Sequence, residues 1–178
     1  MTIWLRNFVL LILAFGSLSV QGAEFVSGTA IPDYGKYAQV PGVKFNAESR
    51  FQVVFDVAEG GKPGELNRRF NSLARFLNMH VGHGAVLENL DLVLVVHGSA
   101  TLDLLNDEQY QARKSQKNAN AGLLAALQKA GVKVWVCGQS AAGHEVEEAD
   151  LLPGVEVALS AMTAHAQLQQ QGYTLNPF

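Results

Sequence analysis

The chain has 178 residues, of which 48% are hydrophobic and 16% are charged. This length fits a single domain, since domains average about 150 residues, and this composition excludes intrinsic disorder as the main state. The formal net charge of −3 comes from 13 basic and 16 acidic residues, and no basic run is longer than Arg68-Arg69. Because binding to phosphates needs clustered Lys and Arg, nucleic acid is not expected as a partner.

The content of cysteine and histidine argues against a bound metal. Cys137 is the single cysteine, which excludes an intramolecular disulfide and a Cys-based zinc cluster within one chain. His80-x-x-His83 would place two imidazoles on one helical face, but no third ligand is spaced nearby. The sequence also lacks the glycine motif of dinucleotide-binding proteins and the nucleophile elbow of hydrolases. We therefore expect neither a metal nor an organic cofactor.

Residues 1–23 have the three parts of a secretory signal peptide. Arg6 supplies the positive charge, an uncharged apolar core covers residues 8–15, and small residues lead to a cleavage site after Gly22 or Ala23. The apolar core is shorter than the about 20 residues that a membrane span needs. We expect a cleaved, exported protein without stable membrane insertion, located in the periplasm if the cell is a diderm bacterium.

The segment from residue 24 to residue 49 is predicted to be an irregular N-terminal arm. Its turn signals follow one another closely, at Pro32-Asp33, Gly35 and Pro41-Gly42. Its aromatic residues Tyr34, Tyr37 and Phe45 are expected to anchor it on the surface of the domain.

Strands and helices are predicted to alternate over residues 50–178. The predicted strands cover residues 51–57, 90–96, 132–136, 154–159 and 173–175. A first helix is predicted from near Glu65 to the glycines at 82 and 84, with an apolar stripe at helical spacing. A second helix is expected to follow a cap at Asn106 and to be interrupted over residues 114–120, and a third covers residues 160–171.

This alternation predicts a parallel sheet with helices on both faces. Ligands of such sheets bind beyond the carboxyl ends of the strands. The places to search are therefore the loops after Val57, Val96 and Val136.

Cys137 follows the third predicted strand and precedes a helical or turn segment. A thiol at this junction could be stabilised as an anion by backbone N–H groups, which would lower its pKa and make it a nucleophile. Gly138 beside it would allow a ligand to approach the backbone closely. Alternatively, Cys137 is a small buried residue that closes the strand. The spacing leaves both interpretations open, although a lone thiol in an oxidising compartment is a liability unless it is buried or used.

The remaining histidines have less specific patterns. His97 follows the second strand as Cys137 follows the third, so it could act as a proton shuttle or charge partner in the same crevice. The alternative for His97 is a loop-end residue that is bonded to the backbone. His80 lies on the apolar stripe of the first helix and is expected in the core. His144 begins a near match to the zinc-protease helix motif, but Glu148 replaces the second histidine, which favours a solvated acidic face.

Several segments together resemble the DsrE/DsrF-like family, and more narrowly its exported branch of small single-domain members. They are VWVCGQS at 134–140, LPGV at 152–155, LSAMT at 159–163 and QGYTLNPF at 171–178, with shorter matches at 66–67, 74–78 and 95–98. The resemblance covers residues 50–178. It implies a three-layer α/β/α fold with a mostly parallel five-stranded sheet, and homo-oligomers that are often trimers or hexamers.

The resemblance also implies a function. In the sulfur-relay members of this family one cysteine carries persulfide sulfur between partners, and Cys137 matches that cysteine. The first hypothesis is therefore an exported sulfur carrier or sulfurtransferase, with a small sulfur compound or a donor or acceptor protein as partner. Its candidate site comprises the reacting groups Cys137 and His97 and the ligand-binding residues Gly98, Gly138, Gln139 and Ser140. The second hypothesis is a non-catalytic oligomeric binding module that holds a small ligand, in which Cys137 is structural.

Overall fold

Seven strands and five α-helices form most of the domain, which a computed structural model describes over residues 22–177. Residues 1–21, which hold most of the predicted signal peptide, lie outside this part of the chain, as does Phe178. The strands are β1 (Phe25–Val26), β2 (Tyr37–Ala38), β3 (Phe51–Val57), β4 (Leu90–Val96), β5 (Lys133–Cys137), β6 (Val155–Ala158) and β7 (Thr174–Pro177). The helices are α1 (Arg68–Gly82), α2 (Asp107–Lys114), α3 (Ala121–Lys129), α4 (Gly138–Gly143) and α5 (Ala161–Gln170).

The main sheet contains β3 to β7 in the order β6-β5-β4-β3-β7, and all its neighbours are parallel. The predicted parallel sheet is confirmed, and so is its number of strands. In register, Val57 pairs with Val96 and Val96 pairs with Val136. The carboxyl ends of β3, β4 and β5 therefore meet at one edge. The chain then leaves β6 at one side of the sheet, passes through α5, and returns as β7 on the other side.

The first face of the sheet is covered by α1 to α3. The strands β3 and β4 are almost continuously apolar, as expected for parallel strands that are buried on both faces. The predicted apolar stripe of α1 packs on them through Phe70, Leu73 and Leu77, each with no exposed surface. The helix begins at Arg68 and not near Glu65, because Asn67 caps it by accepting a hydrogen bond from the Arg69 N–H.

The predicted interruption after the second strand is confirmed. Asn106 caps α2 by accepting a hydrogen bond from the Gln109 N–H. The helix ends at Ser115, which has a left-handed backbone with φ of 59°. The chain resumes as α3 only at Ala121.

The second face of the sheet is covered by α5 alone in the described part of the chain. Ala164 and Leu168 of this helix pack on Val54, Val93 and Val95. One helix is too narrow to cover five strands. Apolar side chains next to its N-terminus therefore stay exposed, namely Val157, Leu159 and Met162.

The segment before β3 lies against α1. β1 and β2 form a two-residue antiparallel pair within it, and Ile31 and Tyr37 are buried. The buried side chain of Asn78 on α1 accepts a hydrogen bond from Ile31 N–H at 2.9 Å and donates one to Ile31 O at 3.0 Å. Within residues 22–177, no helix has the length and hydropathy of a membrane-spanning segment.

Candidate functional site

Three neighbouring strands each present one polar or reactive side chain on the face that α5 covers. Side chains alternate between the two faces of a strand. Val54, Val95 and Cys137 belong to the apolar cluster under α5. Two residues further along their strands, Asp56 and His97 therefore point to the same side as Cys137. All three lie at the carboxyl edge of the sheet, where the topology rule places ligands.

These side chains line a cavity of about 350 Å³ between the sheet edge and the start of α5. A volume of this size is within the range of small-molecule sites. The lining residues are Asp56, His97, Cys137, Gln139, Ser160, Ala161, Met162 and His165. The structure thus brings the two predicted reacting groups, Cys137 and His97, into one cavity, together with the predicted binding residue Gln139.

Hydrogen-bond donors surround the sulfur of Cys137. Burial by itself raises the pKa of this thiol, because the residue is only 5% exposed and the anion loses water. The side chain and N–H of Ser140 and the N–H groups of Ala161 and Gln139 oppose this effect, and together they hold the pKa below its usual value. These donors come from the first turns of α4 and α5, where N–H groups have no partner within the helix. The site can therefore stabilise a thiolate in a mostly dry position.

The two predicted binding glycines do not line the cavity, but they permit the chain to pass close to its neighbours. A Cβ at Gly138 would lie 2.8 Å from the carbonyl oxygen of Ala158 on β6. Gly98 has φ of +54°, and a Cβ there would lie 2.7 Å from the carbonyl oxygen of Ala58. Only glycine fits at either position without a shift of the backbone.

Ser140 connects the ends of β4 and β5. Its hydroxyl oxygen accepts a hydrogen bond from the Gly98 N–H at 3.0 Å. The same hydroxyl group contributes to the lowered pKa of the Cys137 thiol. His144 also contacts this loop, because its Nε2 lies 3.0 Å from the Gly98 carbonyl oxygen. Gln139 reaches toward α5 and donates to the Leu159 carbonyl oxygen at 3.3 Å. The bond between Gly98 and Ser140 therefore fixes the two loops next to the thiol relative to each other.

Asp56 lies between two imidazoles. Its Oδ1 is 3.0 Å from Nε2 of His97 and 2.7 Å from Nε2 of His165. Because a carboxylate can only accept hydrogen bonds, both Nε2 atoms carry the hydrogen. In its neutral form each ring is then left with a lone pair on Nδ1. Nδ1 of His165 is buried without a hydrogen-bond partner, whereas the His97 side chain is 30% exposed.

Asp56, His165 and the Ser160-Ala161 pair were not predicted from the sequence to belong to the site. Asp56 carries a signal in the sequence, since it is the one charged residue of a mostly apolar strand. Ser160 also carries one, because it is a capping residue that accepts from Thr163 N–H at 3.0 Å. His165 lies one helical turn beyond Ala161, but no spacing rule connects it to a strand 109 positions earlier.

The other histidines serve structure. His80 is buried among Phe45, Phe51 and Phe76, and its Nδ1 is bonded to the Phe76 carbonyl oxygen. His83 accepts a hydrogen bond from Val40 N–H. Within residues 22–177, no group of three or more His, Cys, Asp and Glu side chains is arranged as metal ligands. At Asp56 this agrees with the local geometry, since both Nε2 atoms are occupied by hydrogen bonds.

A larger open groove of about 790 Å³ lies beside the first turns of α1. Arg68, Arg69 and Arg75 line it, and Arg69 is paired with Glu59. None of the predicted site residues lies in this groove, and it contains no nucleophilic thiol. The smaller cavity at Cys137 therefore remains the candidate site, because its side chains can perform chemistry together.

Comparisons with known proteins agree with this architecture. The protein of unknown function MTH1491 from Methanobacterium thermoautotrophicum has a TM-score of 0.56 and 20% sequence identity, over 72% of this chain and 99% of that one. The ychN protein from E. coli has a TM-score of 0.51 and 23% identity, over 72% of this chain and all of that one. These two likenesses establish the fold.

A search of curated proteins gives no match. The model of the DsrE/DsrF-like family, in contrast, matches residues 51–177, which include every strand of the main sheet and every residue that lines the cavity. The fold, the position of the cysteine and this match lead to one conclusion: the chain is a member of the DsrE/DsrF-like family.

Proposed function

We propose that this protein is an exported sulfur carrier or sulfurtransferase in which Cys137 holds sulfane sulfur as a persulfide. The family is in general related to sulfur relay. The observation that carries the proposal is the set of donors around Cys137, namely the Ser140 hydroxyl and three backbone N–H groups. A persulfide anion at this position would lie within reach of the same donors, which favour negative charge.

The neighbouring side chains supply proton transfer. His97 and Asp56 are hydrogen-bonded at 3.0 Å in the same cavity as Cys137. A histidine whose Nε2 is held by a carboxylate presents a defined tautomer, and it can take or give a proton at Nδ1. His97 is therefore the proton shuttle of the proposed reaction, and Asp56 orients it.

The test uses the mature protein in its native assembly. The alkylation rate of Cys137 by iodoacetamide is measured against pH, and the protein is then incubated with polysulfide and its intact mass is recorded. We expect alkylation of the native protein at neutral pH, and one added sulfur that a reductant removes. Cys137→Ser, which is nearly isosteric, is expected to abolish the addition and to keep the fold.

One observation favours the second function, a binding module with a structural cysteine. Cys137 is almost fully buried and packs in the apolar cluster under α5. If Cys137 stays unmodified until the protein is denatured, it is a core residue and the binding module is the correct function.

The proposal includes a homo-oligomer and a periplasmic location. The exposed Val157 and Leu159 are apolar residues that line a separate groove at β6, and burial between subunits would remove them from water. Light scattering at micromolar concentration tests the assembly, and a monomer would contradict it. The intact mass of the exported protein tests the signal peptide: the mature chain is expected to begin at Ala23 or Glu24.

A further inference from the structure

We propose that the sulfur donor of this site is an organic hydropersulfide, R–S–SH, whose R group is apolar and uncharged, and that Nδ1 of His97 takes the proton that this donor brings. This inference rests on the proposed function, because it names the substrate class of the same cysteine. It depends on three properties of the cavity: its charge, its apolar mouth, and the lone pair that Asp56 leaves free on His97.

The charge of the cavity disfavours donors that carry an anionic group in addition to the reacting sulfur pair. Asp56 and the Cys137 thiolate both carry negative charge, and none of the residues that line the cavity is Lys or Arg. The donors that stabilise the thiolate are backbone N–H groups and one hydroxyl, and the thiolate itself occupies them. A dianion such as thiosulfate, or a donor with a carboxylate near its sulfur, would meet repulsion in a poorly solvated space.

The mouth of the cavity is apolar. Met162 lines it and is 80% exposed, and Ala161 also lines it. A volume of about 350 Å³ admits a sulfur pair together with a small organic group. An apolar R group would gain favourable contact with these side chains, whereas a charged one would lose water without a partner.

Asp56 determines which atom of His97 receives a proton. Its Oδ1 holds the Nε2–H of His97, so the lone pair of the neutral ring is on Nδ1. The His97 ring is partly exposed and lines the cavity, and no residue within 22–177 donates a hydrogen bond to Nδ1. His165 bonds the same carboxylate oxygen at 2.7 Å and thereby fixes its position. Asp56 and His165 are positioning residues for this step.

The reaction balances without an external oxidant or reductant. The Cys137 thiolate attacks the outer sulfur of R–S–SH, a new S–S bond forms at Cys137, and the S–S bond of the donor breaks. R–S⁻ leaves with the electron pair. Nδ1 of His97 takes the S–H proton from the new persulfide and transfers it to R–S⁻. The products are the Cys137 persulfide anion and R–SH.

The test compares two donors with the same reacting group: benzyl hydropersulfide and its 4-carboxybenzyl analogue. The rate of sulfur addition to Cys137 of the whole mature protein is measured by intact mass. Each rate is divided by the rate of the same donor with free cysteine, which removes intrinsic reactivity. We expect the uncharged donor to react at least about tenfold faster, because the repulsion falls only on the carboxylate. Equal normalised rates would overturn the proposed donor class.

A variant tests the role of His97. In His97→Gln, the amide can still donate to Asp56, but no base remains at the position of Nδ1. Loading from benzyl hydropersulfide is expected to fall about 100-fold, the lower range for general acid–base catalysis. Alkylation by iodoacetamide, which brings no proton to transfer, is expected to change less than about twofold. An equal decrease in both rates, or no decrease in either, would overturn the assignment.

A matched control is His83→Gln at the C-terminal cap of α1, outside the cavity, which is expected to load at the wild-type rate. The two proposals also fail differently. If the wild-type protein gains no sulfur from either donor or from polysulfide, the proposed function is wrong. If it gains sulfur with no preference for the uncharged donor, the sulfur carrier stands and the inference about the donor is wrong.

Discussion

Nε2 of His165 lies 2.7 Å from Oδ1 of Asp56, although the two residues are 109 positions apart in the chain. The contact exists because α5 crosses from β6 at one side of the sheet toward β7 at the other. This path carries His165 over the carboxyl end of β3, where Asp56 lies. The same crossing places the N–H of Ala161 at the sulfur of Cys137.

Asp56→Ala is expected to lower sulfur loading of Cys137 at least about tenfold, because His97 loses the partner that fixes its tautomer. The Nε2–H groups of His97 and His165 lose their hydrogen-bond acceptor. Since these groups are partly exposed, the free energy of unfolding should fall by only about 1 kcal/mol. Intact mass measures the sulfur loading, and urea unfolding measures the free energy of unfolding.

The control for Asp56 is Asp91→Ala. Asp91 lies at the opposite end of the sheet and accepts hydrogen bonds from Lys133 and Tyr173. This variant should lose comparable stability and keep the wild-type loading rate. Equal loss of loading in both variants would show that Asp56 has only a structural role.

Ser140→Ala is expected to raise the pKa of Cys137, because the thiolate loses its hydrogen bond from the hydroxyl. The iodoacetamide rate at neutral pH should fall about tenfold, which corresponds to one hydrogen bond to a charged group. The measurement is the alkylation rate against pH. Ser99→Ala, which removes a hydroxyl bonded to Gly60 N–H in a neighbouring loop, is the control and should not change it. An unchanged rate in Ser140→Ala would mean that the hydroxyl does not act on the sulfur.

Gly138→Ala is expected to destabilise the protein by about 1–3 kcal/mol, because its Cβ would lie 2.8 Å from the Ala158 carbonyl oxygen and force β5 and β6 apart. Gly143→Ala at the end of the same helix is the control. No heavy atom lies within 4 Å of a Cβ there, so no loss of stability is expected. Urea midpoints measure both variants, and equal midpoints would contradict the steric argument.

Leu159→Lys is expected to dissociate the proposed homo-oligomer, because it places a charge on the apolar surface that Leu159 shares with Val157. Light scattering before and after substitution measures the change in mass. Gln111→Lys places the same charge on an exposed position of α2 and should leave the assembly intact. If Leu159→Lys assembles like the wild-type protein, this surface is not the interface.

The stability of the protein is expected to decrease in weak acid because of His80. Burial among aromatic rings lowers its pKa below the usual 6.5, and His83 adds to this, although the bond to Phe76 O opposes it. The folded state therefore binds fewer protons than the unfolded state. The contribution of His80 is complete above the unfolded value and is lost as the pH falls through the lower folded value.

Urea midpoints at about pH 7.5 and about pH 5 test this expectation. His80→Leu should show a smaller decrease between the two conditions than the wild-type protein. Met79→Leu, a variant on the same helix that removes no titratable group, should show the full decrease. If His80→Leu keeps the full decrease, other groups cause the pH dependence.

The parallel sheet could be predicted because its strands carry a local signal. The segments 51–57 and 90–96 are rich in Val, Leu and Phe, and the structure confirms both with the predicted bounds. The position of Cys137 at a strand end was equally local, since the residue follows a Val-rich segment and precedes glycine. The predicted start of α1, near Glu65, was wrong because Asn67 caps the helix. Its side chain bonds the backbone at the helix start, and the apolar stripe does not indicate such a bond.

The amino-acid sequence by itself determined the alternation of strands and helices, the carboxyl-edge location of Cys137 and His97, and the family. Only the tertiary structure decided what surrounds the thiol. Asp56 and His97 share a face through strand register, a pairing between segments 41 residues apart. His165 and Ala161 join them only because α5 crosses the sheet. Hydrophobic period is a property of neighbouring residues, whereas these contacts depend on how distant segments pack, which no local pattern encodes.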